Sequence, residues 1–397
     1  MAISNPFIKH KEKNQSGFYY RYRPFTEVSL KELLYNEMYF SSPEECNDPF
    51  DSKTFYVLNK DEDKWRKLIQ FALKARPLEA PLLDIVVKHI LKKCPITFDE
   101  ALDGKILTDI ETGFPGEKPF YATVENQLKR VLNLYRPPTQ YFVSFSKTNS
   151  ESLMWSHYAD KHKGFCLIFK PINGKIKQSH RQQKHQIHRK TPNSFSEEMS
   201  YEMPKEFDLV DISYESKVKH LNGFLYLPVA VVGEAKNEKD RLNITSQQKA
   251  YYSQKGKSWI YEKEARLILS PPMSWLFGEH IEYSNHERLF HYEPSQLVGI
   301  VYGARMSLSD KNRVREILKE KMDWQAMDNY NRIVFNFMEF EAKLSTNQRN
   351  VDINPTAMLT YKTIRPGEAD FERLYKEWQE CWGHQRDQNG SKRIKVE

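Results

Sequence analysis

Hydrophobic and polar residues alternate with a period of two in several short stretches of the chain, a pattern typical of β-strands. These stretches are rich in aromatic and β-branched residues, which favour a pleated, half-buried backbone. Alternation, or a high content of aromatic and β-branched residues, predicts strands at FYYRYR (18–23), YFVSFS (141–146), GFCLIF (164–169), FDLVDISY (207–214), WIYEKEARLIL (259–269), LVGIVYG (297–303) and RIVFNFMEF (332–340).

Apolar residues recur at helical spacing between these strands. The first such helix follows the first strand, and Ser29 and Glu32 stand at capping-box spacing at its start. A later helix places Ser150 at its N-cap position. The helical pattern covers SLKELLYNEM (29–38), DKWRKLIQFALKA (63–75), LLDIVVKHILKK (82–93), VENQLKRVLNLY (124–135), SESLMWSHYAD (150–160) and LSDKNRVREILKEKM (308–322).

The order of these elements predicts a single α+β domain over residues 18–340. We expect a central mixed or antiparallel sheet, with a helical region at about residues 60–136 inserted after the first strand–helix unit. Residues 341–397 are polar and are predicted to form a C-terminal extension.

Composition narrows the class of protein. With 397 residues, 39% of them hydrophobic and 13% aromatic, the chain is long and apolar enough for a large core. A net charge of +7 from 60 basic and 53 acidic side chains permits a basic patch without indicating nucleic acid. Four cysteines without a C-x-x-C pair argue against a zinc ribbon or a disulfide framework. No apolar run approaches 18 residues, so we expect a cytoplasmic protein without a membrane segment.

A basic stretch interrupts the middle of the chain. Residues 170–196 contain no acidic residue, whereas lysine, arginine and histidine accumulate there. We expect a mobile insertion at about residues 170–205, and its segment 170–190 is the predicted contact for nucleic acid. The basic residues are Lys170, Lys175, Lys177, Arg181, Lys184, Arg189 and Lys190, with His180, His185 and His188.

Three predicted strands carry polar residues at alternate positions, and alternate residues share one face of a strand. In chain order they supply an arginine pair, a serine pair and a glutamate pair. This order is similar to the R-S-E arrangement of ADP-ribosyltransferases, which implies an ADP-ribosyltransferase-like fold and NAD as the cofactor. The pairs are Arg21 and Arg23, Ser144 and Ser146, and Glu262 and Glu264.

The resemblance implies a role for each pair. Arg21 or Arg23 would hold the dinucleotide, and Ser144 and Ser146 would position its nicotinamide ribose. Glu264 would stabilise the positive charge that develops on the sugar, as a fixed carboxylate does. The simpler interpretation is a solvated sheet face on which an arginine two residues later merely pairs with this glutamate.

Further candidates lie beside these pairs. Glu262 would orient or deprotonate the acceptor as a second catalytic carboxylate. The helix at 150–160 would bring His157 to the cleft as a base, with Tyr158 and Trp155 contacting the cofactor. The alternative is that this helix contributes only packing residues.

Larger sequence blocks resemble a bacterial family known only as domain of unknown function 2971. The blocks are YRYRPF with MYFSSPEECNDPFD, then FVSFSKTNSESLMWSHYADKHKGFCLIF, WIYEKEARLIL and LVGIVYGARMS, which together span about residues 19–340. The resemblance implies a bacterial α+β domain of the kind found where defence proteins accumulate.

The predicted function is therefore an ADP-ribosyltransferase-like effector that uses NAD to modify a nucleic acid or protein acceptor in bacterial defence, with no metal site. One alternative is a metal-dependent nuclease in which Asp48 or Asp51 joins Glu262 and Glu264. Another is a module that binds nucleic acid through the basic segment without catalysis. The loop NDPFD (47–51) is equally typical of a tight turn with its phenylalanine as a hydrophobic anchor.

Overall fold

Strands and helices intermix along the chain. A computed structural model describes residues 17–359 except 52–54, 105, 108–109, 111–116, 180–183, 191–195, 219, 233–251, 273–280 and 329–336, together with 367, 369, 372–373 and 376. The strands are β1 (Tyr19–Arg23), β2 (Glu37–Tyr39), β3 (Phe55–Leu58), β4 (Ile96–Thr97), β5 (Tyr141–Ser146), β6 (Phe165–Phe169), β7 (Lys175–Lys177), β8 (Lys184–Lys190), β9 (Ser196–Glu202), β10 (Glu206–Asp208), β11 (Val210–Asp211), β12 (Ser213–Glu215), β13 (His220–Asn222), β14 (Gln254–Gly256), β15 (Glu264–Leu269), β16 (Leu289–His291), β17 (Leu297–Tyr302), β18 (Phe337–Leu344) and β19 (Val351–Leu359).

The helices lie between these strands. None of the described helices combines the length and the apolar character that crossing a membrane requires. The α-helices are α1 (Glu27–Tyr35), α2 (Glu62–Ala72), α3 (Ala80–Lys93), α4 (Phe98–Asp103), α5 (Glu117–Tyr135), α6 (Ser152–Tyr158), α7 (Val229–Val232) and α8 (Leu308–Asp328), and short 3-10 helices occupy Pro43–Glu45, Gly223–Tyr226, Lys257–Glu262 and Pro294–Gln296.

Eight strands form the central sheet, in the order β11-β15-β5-β1-β6-β17-β18-β19. Neighbouring strands are antiparallel except β17 and β18, which are parallel. The connection between β17 and β18 contains α8, as a parallel pair requires a crossover. The prediction of an α+β chain with a mixed central sheet is therefore confirmed.

Each face of the sheet is covered by its own apolar core. Leu33 of α1 and Leu318 of α8 are buried in one core with the sheet residue Ile300. On the opposite face, Trp155 of α6 packs in a second core that contains Tyr20. The two sets of residues alternate along the strands, because successive side chains point to opposite faces.

The helical region has a third core of its own. Its helices α2, α3 and α5 bury residues such as Trp65, Val87 and Leu128 together. Phe224, from a 3-10 helix almost a hundred residues later in the chain, packs into the same core with its ring 5.5 Å from that of Trp65. The predicted region at about 60–136 is thus completed by a segment that helical spacing alone does not identify.

The helix starts differ from the predicted ones. The N-cap of α1 is Thr26, whose side chain accepts a hydrogen bond from the backbone N–H of Ser29, so the helix begins earlier than expected. The N-cap of α6 is Glu151 and not Ser150. Both differences are one to three residues and leave the helices themselves in place.

The basic segment, predicted as a mobile insertion, contains paired strands. β7 pairs with β10, and β8 pairs with β9, both antiparallel. In the register of β8 and β9, Lys184 stands opposite Glu202 and Arg189 stands opposite Glu197. Acidic positions of the second strand therefore face basic positions of the first.

The sheet extends beyond the predicted domain boundary at residue 340. Strand β18 continues to Leu344, and β19 pairs with it along its length. Val351 and Ile353 of β19 are buried in the second core. The first part of the predicted polar extension is therefore an edge strand, and most of residues 360–397 lies outside the described residues.

Two glycines permit a close backbone approach at the ends of β6 and β17. The N–H of Gly303 donates to the carbonyl of Gly164 over 2.9 Å. A Cβ atom on Gly303 would lie 2.2 Å from the carbonyl oxygen of His162 and 2.6 Å from that of Gly164. Neither contact is tolerated without a backbone shift, since both neighbours are main-chain atoms.

We expect Gly303→Ala to lower the free energy of unfolding by about 1–3 kcal/mol, the usual range for overpacking. Urea unfolding followed by circular dichroism measures the change. Gly17→Ala is the matched control, because no atom lies within 4 Å of the added Cβ. Equal stability of the two variants would contradict the close approach.

Candidate functional site

The serine and glutamate strands bring their predicted site residues to one face of the sheet. In the pairing of β5 with β15, Ser146 stands opposite Glu264 and Ser144 stands opposite Arg266. Tyr20 of β1 stands opposite Ser146 and belongs to the core on the α6 face. Directly opposed residues share a face, so these side chains lie on the α6 side of the sheet.

Arg21 and Arg23 lie on the other face, because they alternate with Tyr20 along β1. Arg23 forms an ion pair with Glu32 of α1. Burial, reinforced by the nearby charge of Arg23, lowers the pKa of Arg21 to about 10. The prediction that either arginine shares a cleft with the serines and Glu264 is wrong, since the sheet separates them.

Five buried side chains form what we call the charged cluster: Asp51, Lys255, Glu262, Glu264 and Arg266. The ammonium nitrogen of Lys255 is at its centre. It lies 2.6 Å from Oε2 of Glu262, 3.1 Å from Oδ2 of Asp51 and 3.3 Å from Oε2 of Glu264. Lys255 was missed in the sequence, where its neighbours show no periodic pattern.

Arg266 is completely buried and connects two of the carboxylates. Its Nε donates to Oε1 of Glu264 over 2.6 Å, and its Nη2 donates to Oδ2 of Asp51 over 2.8 Å. The guanidinium carbon lies 4.1 Å from the centre of the Phe142 ring. The interpretation of a solvated sheet face thus predicted the ion pair between Arg266 and Glu264 correctly, but both side chains are buried and not solvated.

The sequence predicted that Glu262 and Glu264 lie on one strand. This prediction is wrong. Glu262 ends the 3-10 helix Lys257–Glu262, and Lys263 follows in a left-handed conformation with φ of 45°. Only Glu264 belongs to β15. The turn nevertheless returns Glu262 to the charged cluster, where the hydroxyl of Tyr158 donates to its Oε1 over 2.5 Å.

The environments of the two glutamates push their pKa values apart. Burial would raise the pKa of Glu264, but Arg266 and Lys255 outweigh it and hold the value at about 2. Burial raises the pKa of Glu262, and Lys255 offsets only part of that effect. Such a separation is typical of a site with one permanently ionised carboxylate and one that exchanges protons.

The two serines have different surroundings. Ser146 is buried; its hydroxyl donates to the carbonyl of Glu262 over 2.6 Å and accepts from the N–H of Thr148. Ser144 is exposed, and its hydroxyl is one of the groups that lower the pKa of Glu264. Ser144 is therefore the solvent-facing edge of the charged cluster, whereas Ser146 supports the turn that precedes β15.

Helix α6 contributes one of its three predicted residues directly. Tyr158 contacts Glu262, as described above, and His157 is exposed beside Tyr261 with ring centres 6.3 Å apart. Trp155 is completely buried, and its indole N–H donates to the carbonyl of Asn149. The prediction that Trp155 contacts a cofactor is wrong, because core packing encloses its ring.

The loop at residues 47–51 is a turn that also supplies a cluster residue. The side chain of Asp48 accepts from the N–H of Phe50, as the turn interpretation predicted. Phe50 is 62% exposed, so the prediction that its side chain is the hydrophobic anchor of the turn is wrong. Asp51 is delivered to the charged cluster with its side chain 3% exposed.

The nuclease alternative requires a metal among these carboxylates. Within the part of the chain that the structure describes, no group of three His, Cys, Asp or Glu side chains is placed to hold a metal ion. The ammonium of Lys255 occupies the position between the three carboxylates. A metal ion there would have to displace it.

Comparison with known proteins finds a family that matches part of the chain. A family described as Protein of unknown function (DUF2971) matches residues 154–267, which confirms the resemblance over this part of the chain. The matched segment contains β6 and most of β15 and includes Tyr158, Lys255 and both glutamates of the charged cluster. No curated protein and no solved structure matches the chain.

Proposed function

We propose that the charged cluster is the reaction centre of an ADP-ribosyltransferase-like effector, which transfers ADP-ribose from NAD⁺ to an acceptor. The observation that carries the proposal is the pair of neighbouring glutamates with opposite pKa shifts, next to the exposed hydroxyl of Ser144. Arg21 and Arg23 have no part in it, because they lie on the opposite face of the sheet.

The charge of the cluster favours a positively charged reaction intermediate. Three carboxyl groups face two cations, so the charged cluster has one negative charge in excess whenever all three carboxyl groups are ionised. In a buried site such a fixed charge stabilises a developing cation more strongly than it would in water. Glu264 is already held in place by Arg266 and Lys255, so it needs no reorganisation during the reaction.

In the proposed reaction, the bond between ribose C1′ and the nicotinamide nitrogen breaks. Nicotinamide leaves with the bonding electron pair, which neutralises its ring charge, and the positive charge on the ribose is stabilised by Glu264. An acceptor nucleophile then bonds to C1′, and its proton passes to the Glu262 carboxylate. Tyr158, which donates to Glu262, orients that carboxylate toward the edge of the cluster.

The test is to incubate the purified protein with NAD⁺, with and without single-stranded nucleic acid and Mg²⁺. Nicotinamide release and strand cleavage are followed in the same samples by chromatography. We expect acceptor-dependent nicotinamide release that a chelator leaves unchanged. Strand cleavage that requires Mg²⁺, without nicotinamide release, would replace the proposal with the nuclease alternative. Absence of both reactions would remove the catalytic assignment.

A further inference from the structure

An aromatic row borders the charged cluster and has no part in the proposed reaction. It consists of Trp259, Tyr261 and His157. The Trp259 and Tyr261 ring centres are 6.0 Å apart with planes 38° apart, and the Tyr261 and His157 centres are 6.3 Å apart with planes 35° apart. His157 is exposed and the other two rings are half-buried, so the row presents aromatic surface to solvent.

The aromatic row is continuous with the charged cluster at two points. The Lys255 ammonium lies 5.0 Å from the centre of the Trp259 ring. The His157 ring lies 6.2 Å from the ring of Tyr158, whose hydroxyl contacts Glu262. A flat group stacked on the row would therefore be held next to the carboxylate that accepts a proton in the proposed reaction.

Positive charge flanks the same segment. Lys257 begins the 3-10 helix that carries Trp259 and Tyr261, and Lys263 follows its end. Both lysines are exposed. Two exposed ammonium groups beside partly exposed rings match the chemistry of a nucleotide chain, in which flat bases alternate with phosphates.

We propose that the aromatic row binds the bases of single-stranded nucleic acid while Lys257 and Lys263 contact its phosphates. Stacking requires a free base face, which a single strand offers and a duplex withholds. That the bound strand is also the acceptor rests on the proposed function, whereas its binding does not.

This site differs from the basic segment that the sequence favoured. In the β8–β9 pair the register sets Lys184 opposite Glu202 and Arg189 opposite Glu197. From Lys257 to Lys263 the one acidic residue is Glu262, which is buried in the charged cluster, whereas both lysines are exposed. The two locations therefore give opposite expectations for substitutions.

The test measures fluorescence anisotropy of labelled 12-nucleotide DNA and RNA strands with the full-length protein, without NAD⁺. We expect Trp259→Ala to weaken binding about tenfold, the usual effect of losing one stacked base, and Trp259→Phe to restore most of it. Lys257→Glu should weaken binding and reduce the dependence on salt concentration. Lys319→Glu, at an exposed position of α8, is the matched control and should bind normally.

Several results would overturn the inference. One is equal affinity of Trp259→Ala and Trp259→Phe, and another is duplex binding as tight as single-strand binding. Loss of binding only in a Lys184→Glu/Arg189→Glu variant would move the site to the basic segment. Complete displacement of the strand by equimolar AMP or NAD⁺ would show that the row holds a free nucleotide instead.

Thermal unfolding of each variant separates loss of binding from loss of fold, and Lys257→Glu leaves the rings intact. Because NAD⁺ is omitted, failure here is independent of nicotinamide release.

Discussion

Replacing Arg266 with methionine is expected to lower the free energy of unfolding by about 3–5 kcal/mol, the range for breaking a buried ion pair by removing one partner. The guanidinium is completely buried and bridges Asp51 and Glu264. Methionine fills similar space but leaves three carboxylates around the single ammonium of Lys255. Denaturant unfolding at neutral pH measures the loss.

The pH dependence of this loss identifies its cause. In the wild-type protein Glu264 has its pKa at about 2, below the ordinary value of 4.5, so its stabilising contribution is present above pH 4.5 and disappears as the pH falls toward 2. In Arg266→Met the carboxylate is easier to protonate, so the stability difference should shrink with acidification. A difference that stays constant from pH 7 to pH 3 would indicate lost packing against Phe142 instead.

Two control variants sharpen the comparison. Arg266→Lys keeps the charge but lacks the planar fork that reaches both carboxylates, so it should fall between wild type and methionine. Arg66→Met removes an arginine that is also paired twice, with Asp84 and Glu62, but at the protein surface. Little change is expected there, because solvent screens exposed pairs. Equal losses at the two positions would contradict the importance of burial.

Glu264→Gln is expected to reduce nicotinamide release about 100- to 1,000-fold, the usual effect of removing one electrostatic stabiliser of a transition state. The fold should survive, because both cations keep a carboxylate partner. Arg266 still contacts Asp51, and Lys255 still contacts Asp51 and Glu262. Initial rates with saturating NAD⁺ give the effect, and thermal unfolding confirms that the variant remains folded.

Glu262→Gln separates the two roles. If Glu262 accepts the acceptor's proton, this variant should lose transfer to the acceptor more than hydrolysis of NAD⁺. In the wild-type protein, transfer should decline as the pH falls through the pKa of Glu262, which burial has raised. Glu206→Gln, in the exposed pair with Lys175, is a suitable control and should keep full transfer activity.

Full activity of Glu264→Gln would end the catalytic assignment and leave the charged cluster a structural element.

Alternation, together with runs of aromatic and β-branched residues, was enough to locate half of the strands of the central sheet. Strands β1, β5, β6 and β17 lie within one residue of the predicted stretches. The same pattern failed at residues 259–263, where WIYEK alternates like a strand but forms a 3-10 helix and a left-handed residue. Backbone hydrogen bonds and burial around Glu262 decide that conformation, and alternation does not report on either.

The sequence by itself determined that Arg21 and Arg23 lie on the same face of their strand, and that Ser144 and Ser146 lie on the same face of theirs. Tertiary structure decided which of the two faces of the sheet each pair occupies. That choice depends on the register between strands and on the side where α1 packs, and neither is encoded in one strand's alternation. A period of two separates faces within a strand, but it does not align the faces of different strands.

The charged cluster was also determined partly by the sequence and partly by the tertiary structure. Candidate carboxylates were visible as residue types, and three of them do meet. Their common partner Lys255 and the burial of Arg266 came only from the fold. Asp51 lies 215 positions before Arg266, and Lys255, Glu262 and Arg266 lie on three successive elements whose arrangement residue types do not report. An ion pair is stabilised by distance and by exclusion of water, two quantities that exist only after the chain has packed.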